Sequence, residues 1–220
     1  MKQEDLFELN FLLCEWFEKN GRTFPWRKTN NLYKILISEI LLRKTNAEMV
    51  SNFFGKFLEK YPNFQEIRKI SEQELETDLI PLGLYKTRVK TLKTISIQIQ
   101  DENSGKIPES SEELHSFYGI GRYIANAVLC FGLNKDVVLL DTNINRILSR
   151  IFNKTYPKKI TPNHPLWKEI QNTAKFKDKK TFFMALIDFG ALICKERGYH
   201  CGLCPLEEFC MYTHKFFFMK

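Results

Sequence analysis

Four cysteines stand close together toward the end of the chain: Cys194, Cys201, Cys204 and Cys210, separated by six, two and five residues. Four thiolates at the close of an apolar run, residues 182–193, have the chemistry to hold either a cubic iron–sulfur cluster or a zinc ion. Zinc sites more often use two paired Cys-x-x-Cys knuckles, and only Cys201 and Cys204 form such a pair, so the spacing favours a [4Fe-4S] cluster. Cys14 and Cys130 lie in apolar helical patterns and read as small core residues.

Two acids occupy unusual places. Ser38 and Glu39 are the only polar residues between Ile35 and Leu42, which puts a carboxyl on a helix that is otherwise apolar all round. Burial of that kind raises a carboxyl pKa and suits a general acid, although a carboxylate paired with a nearby Arg or Lys is the competing explanation. Asp141 follows Val137-Val138-Leu139-Leu140 and precedes a helical pattern of Ile144, Ile147, Leu148 and Ile151, the position of an N-cap. A third signal is Gly119-Ile120-Gly121. Two glycines at the N-terminus of a helix leave backbone N–H groups uncovered, where the helix dipole favours a phosphate oxygen; an ordinary tight turn between helices explains them as well.

The elements that must position these residues are helical. Apolar residues recur at helical spacing at Leu6, Leu9, Leu13, Trp16 and Phe17, and again at Val50, Phe53, Phe54, Phe57 and Leu58, while strand-like alternation is scarce. Turn signals separate the runs at Asn20-Gly21, Tyr61-Pro62-Asn63, Pro81-Leu82-Gly83, Asn103-Ser104-Gly105 and Thr161-Pro162-Asn163. Ser110 with Glu113 reads as a capping box that opens a short helix ending at Gly119, and residues 122–131 carry Ile124, Ala125, Val128 and Leu129 at helical spacing. The pattern predicts an all-α protein containing a helix, a Gly-x-Gly hairpin and a second helix. With no repeat, low-complexity tract or long polar linker, a second domain must be assembled from segments distant in sequence.

A net charge of +7 points toward an anionic partner. No stretch of about 18 uncharged apolar residues occurs, and Met1-Lys2-Gln3-Glu4-Asp5 lacks the pattern of a secretory signal, so the expected place of action is the cytoplasm with no membrane contact. In that reducing compartment a disulfide framework is not expected.

In order along the chain stand Phe24-Pro25-Trp26-Arg27, Ser38-Glu39-Ile40-Leu41-Leu42, Leu82-Gly83-Leu84-Tyr85, Gly119-Ile120-Gly121-Arg122, Leu140-Asp141-Thr142-Asn143 and the four cysteines. Together they resemble the endonuclease III and adenine glycosylase superfamily of helix-hairpin-helix DNA glycosylases. The resemblance implies a two-domain all-α fold. A helical barrel would span residues 28–136, and residues 1–27 with 137–220 would form a second domain bearing the cluster. The implied partner is double-stranded DNA with a mismatched or damaged base, bound across the cleft by a monomer at the nucleoid. A flipped nucleotide would enter a pocket beside Asp141, with Lys44 and Leu84 filling or bracing the gap. The hairpin at Gly119, Gly121 and Arg122 and the cations Lys86, Arg88 and Lys90 would hold phosphates.

Two positions depart from the family pattern. Tyr118 stands where the hairpin usually has proline. Tyr123 stands where bifunctional members carry the lysine that attacks the sugar; a phenol forms no imine, so the implied enzyme cuts the glycosidic bond and leaves the backbone intact. Tyr123, Glu39 and the basic segment Leu42-Arg43-Lys44-Thr45 are most similar to the thymine-DNA mismatch branch. Adenine glycosylases usually have two glutamines at Arg43-Lys44 and a further C-terminal domain, for which the ten residues after Cys210 leave no room. In the implied mechanism Asp141 offsets the charge on a cation-like sugar, and Glu39 protonates the departing base or positions water. An adenine glycosylase and a non-catalytic damage-binding module are the alternatives; the presence of both Glu39 and Asp141 argues against the module.

Overall fold

The computed structural model describes residues 3–154, 170–171 and 178–212; the turn signal at Thr161-Pro162-Asn163 lies outside them. Among the described residues the regular structure is helical throughout, with no strand. No helix among them is long and apolar enough to cross a membrane. The chain divides into two compact units, Thr23–Leu133 and Met1–Arg22 with Asn134–Lys220.

In the unit Thr23–Leu133, α2 (Leu32–Leu42) is the central element and is buried at Tyr33 and from Ile35 through Leu41, as expected of a segment apolar around its circumference. It packs against α8 (Arg122–Leu133) and α3 (Ala47–Lys60), and the latter turns Val50, Phe54 and Phe57 inward. The long α6 (Tyr85–Glu102) packs on α4 (Phe64–Lys69) and α5 (Glu72–Leu79), and the short α7 (Ser111–Ser116) packs on α8. Side chains of Asn31, Asn46, Asn63, Ser71 and Ser110 cap the starts of α2, α3, α4, α5 and α7, meeting amide donors that have no partner within the helix. At Ser110 the expected box closes differently: the Glu113 amide meets Ser110 Oγ at 3.2 Å, but the Ser110 hydroxyl itself donates to Glu113 Oε2 at 2.7 Å.

The other unit joins the two ends of the chain. Within it α1 (Gln3–Asn20) and α9 (Thr142–Ile151) both pack on α10 (Lys179–Leu192), whose Phe182, Phe183, Leu186 and Phe189 are buried. Asp188 on α10 is fully buried and accepts from the backbone amide, Nε and Nη2 of Arg22 at 2.7, 3.0 and 2.8 Å. Trp16 and Phe189 pack edge to face, the ring centroids 5.7 Å apart. Cys14 and Cys130 are buried core residues, each in its own unit.

Candidate active site and cysteine-lined pocket

Asp141 has extended backbone and caps α9. Its Oδ1 accepts from the Ile144 amide at 2.7 Å, and its Oδ2 from Asn143 Nδ2 at 3.0 Å. Asn143 is held in turn by Arg146 Nη1 at 2.9 Å, and Arg146 reaches the carbonyls of Gly190 and Cys194 at 3.0 and 3.1 Å. The carboxylate is half-buried, so each oxygen retains an acceptor direction beyond the bond that orients it. It is a cap and a positioned charge at once.

Glu39 belongs to the other unit, on α2, and is only 7% exposed; Ser38 beside it donates back to the Ile35 carbonyl at 2.7 Å. Tyr123, half-buried, is the second residue of α8, the helix that packs on α2. The hairpin before it turns at Gly119, where φ is +74° and an added Cβ would stand 2.8 Å from Thr91 Oγ1. Both conditions require glycine. Gly121 meets neither: it is exposed, with open space where a Cβ would be. Tyr118 makes a bond that proline cannot, its amide donating to Gln98 Oε1 at 2.9 Å, while Lys90 lies over its ring at 5.1 Å. Arg122 opens α8, half-buried, and the exposed Arg43 donates to the Gly119 carbonyl at 3.4 Å.

Lys44, Leu84 and Lys86 are exposed, and the first two are non-glycine residues with left-handed backbone, φ +53° and +47°. Arg88 overturns its expectation. It is 3% exposed, and its guanidinium donates to the carbonyls of Leu82 (3.0 Å), Gly83, Leu41 (3.0 Å) and Arg43 (2.8 Å) and to Thr45 Oγ1 (2.5 Å). Burial, and then the charge of Arg43, lower its pKa from the ordinary arginine value. A side chain enclosed by carbonyls cannot serve as a surface cation for phosphate. The sequence carried a signal of this: Arg88, Leu92, Ile95 and Ile99 fall at helical spacing on the buried face of α6, whereas Lys86 and Lys90 are exposed.

The four cysteines line one pocket, together with Ile193, Leu206, Phe189 and Tyr199. Cys194 follows the end of α10; Cys201 opens a 3-10 turn that Cys204 closes, and Cys210 closes the next, Glu207–Phe209. Arg150 of α9 lies over the rings of both Tyr199 and Tyr212, 4.7 and 5.3 Å from their centroids, and donates to Cys194 Sγ at 3.3 Å and the Lys195 carbonyl at 2.7 Å. Burial pushes the Cys204 thiol up to about 12, with the neighbouring Cys210, Cys194 and Cys201 adding to the rise, and burial raises Cys201 too. Ligation of a cation or cluster by these four side chains would require them as thiolates, whose negative charge the bound group would offset. Among the described residues no group of three or more His, Cys, Asp or Glu side chains is placed to hold a metal ion.

Comparison with known proteins places this architecture. Residues 37–171 match the HhH-GPD superfamily of base excision DNA repair proteins. The chain belongs to that family. It is 33% identical over 204 residues to the thymine/uracil-DNA glycosylase of Methanothermobacter thermautotrophicus, covering 92% of each chain. It is 32% identical over 210 residues to the adenine DNA glycosylase of Buchnera aphidicola subsp. Schizaphis graminum (strain Sg), covering 94% of this chain but 60% of that one. The solved structure of a thermostable thymine-DNA glycosylase superposes with a TM-score of 0.89 at 30% identity, over 96% of this chain and 98% of that one.

Proposed function

We propose that this chain is a base excision repair DNA glycosylase that hydrolyses the N-glycosyl bond of thymine or uracil opposite guanine, acting as a monomer on double-stranded DNA at the nucleoid and cutting no backbone. The observation that carries the reading is Asp141, a half-buried carboxylate with both oxygens oriented by the first turn of α9, in a chain of the base excision family. Arg43-Lys44 and Tyr123 favour the thymine branch over the adenine branch.

The bond between the base nitrogen and the sugar carbon breaks with its electron pair leaving on the base, and the sugar becomes cation-like. Asp141 offsets that charge and takes or directs the proton of the water whose oxygen then bonds to the sugar carbon. Glu39 hydrogen-bonds the departing base or positions the water. Tyr123 occupies the lysine position without an amine, so no imine forms and hydrolysis is the outcome. A wobble-paired thymine is extruded more easily than one paired with adenine, which supplies part of the selection before the pocket reads the base. One methyl group is worth only about 1–3 kcal/mol of discrimination in an apolar site, so uracil opposite guanine is removed as well. The amides at Gly119, Gly121 and Arg122, with Lys86 and Lys90, hold phosphates; Lys44 and Leu84 take the space of the extruded nucleotide.

Cys194, Cys201, Cys204 and Cys210 would hold a [4Fe-4S] cluster, which supplies a structural tie for the loop. The spacing supports the cubic cluster over zinc, because only Cys201 and Cys204 form a Cys-x-x-Cys pair.

The test is a panel of duplexes each bearing one lesion, incubated with the protein and then treated with alkali to break abasic sites. Thymine and uracil opposite guanine are expected to be released faster than adenine opposite oxidised guanine. Adenine release at an equal or greater rate overturns the base assignment in favour of adenine glycosylase, and no release from any duplex leaves a damage-binding module.

A further inference from the structure

Arg88 is a buried charge that no carboxylate pairs with among the described residues, yet all its terminal donors face oxygens from two segments some forty residues apart. One segment is the end of α2 and the turn after it, represented by the Leu41 and Arg43 carbonyls and Thr45 Oγ1. The other is the turn before α6, represented by the Leu82 and Gly83 carbonyls. Thr45 Oγ1 also donates directly to the Leu82 carbonyl at 3.2 Å, closing the ring. A guanidinium suits this place because its donors are fixed in a planar fork, whereas a lysine ammonium, with three donors on one atom, cannot meet all five oxygens at once.

Each segment carries one non-glycine residue in left-handed backbone, Lys44 and Leu84. Such conformations persist only where the surroundings over-determine them. The peptide planes show how: in a trans peptide the carbonyl and the following N–H point opposite ways, so turning the Arg43 and Gly83 carbonyls onto Arg88 sends the Lys44 and Leu84 amides away from it. Leu84 sits at the N-cap position of α6, makes no side-chain cap bond and leaves its apolar side chain 50% exposed.

We propose that Arg88 is a positioning residue that joins segments 41–45 and 82–84 into one rigid support, so that Lys44 and Leu84 enter the duplex as a unit. The inference rests on the DNA glycosylase reading above. It makes Arg88 an agent of base extrusion, acting through Leu84, without contact to DNA.

The experiment is a double-mutant cycle of Arg88→Lys with Leu84→Ala, with melting temperature and helical circular dichroism checking the fold. Extrusion is read by 2-aminopurine fluorescence beside a thymine–guanine mispair, and excision is timed on uracil opposite guanine and on uracil in a single strand. Arg88→Lys is expected to weaken the extrusion signal and duplex excision about tenfold while changing single-strand excision less than about twofold; in the Leu84→Ala background its added effect falls below about twofold. Independent, multiplicative effects, or equal losses on duplex and single strand, overturn the proposal. If Arg88→Lys fails to fold, Thr45→Val removes the oxygen shared by Arg88 and Leu82 more gently and must show the same non-additivity with Leu84→Ala. A parent that releases no base from any duplex refutes the glycosylase reading, and the fluorescence cycle still decides the role of Arg88.

Discussion

Asn143 donates from Nδ2 to Asp141 Oδ2 over 3.0 Å, while the Ile144 amide holds the other carboxylate oxygen at 2.7 Å. The cap and the proposed catalytic charge are the same group, and substitution separates them. Asp141→Asn keeps an oxygen for the Ile144 amide and loses the charge. Stability should change by less than about 1 kcal/mol and lesion-DNA affinity little, whereas single-turnover excision should fall at least about a thousandfold. Near-parental excision by Asp141→Asn would reduce Asp141 to a helix cap.

Tyr123 governs whether a covalent intermediate forms. Borohydride added during turnover should trap no enzyme–DNA adduct with the parent, and Tyr123→Lys should gain one, read as a shifted band on a denaturing gel. Efficient trapping with the parent would mean that another lysine attacks the sugar.

The cysteine pocket predicts a brown protein when purified without oxygen, with broad visible absorption and iron and inorganic sulfide in equal amounts. Cys204→Ser should bleach it and lower the melting temperature. Colourless, active protein with stoichiometric zinc would exclude the cluster.

The two hairpin glycines should behave differently. Gly119→Ala combines a left-handed backbone with a Cβ 2.8 Å from Thr91 Oγ1, and is expected to cost about 1–3 kcal/mol in denaturant unfolding and to weaken DNA binding. Gly121→Ala meets open space and should change stability by less than about 1 kcal/mol. Similar stabilities for the two variants would contradict the hairpin geometry.

Much of this protein is legible in its sequence because many of its signals are local. An apolar helix holding Glu39, an aspartate before an amphipathic run and a serine three residues before Glu113 all depend on neighbours within one or two helical turns. Those neighbours are what a helix brings together. The expected burial of Glu39 and capping by Asp141 and Ser110 are present in the fold for that reason. The helical spacing of α6 puts Arg88 on its buried face, but the partners of Arg88 and Tyr118 were not readable in the same way. Whether a cation faces solvent or a set of carbonyls depends on which distant backbone folds against it, and Arg88 meets residues up to 47 positions away. Tyr118 takes the place of a rigid proline because Gln98, 20 residues earlier, supplies an acceptor for its amide. The sequence determined the helices, the hairpin glycines and the crowding of four thiols. Only the tertiary structure decided which polar groups would be consumed internally, because hydrogen-bond partners far apart in sequence become neighbours only when the helices pack.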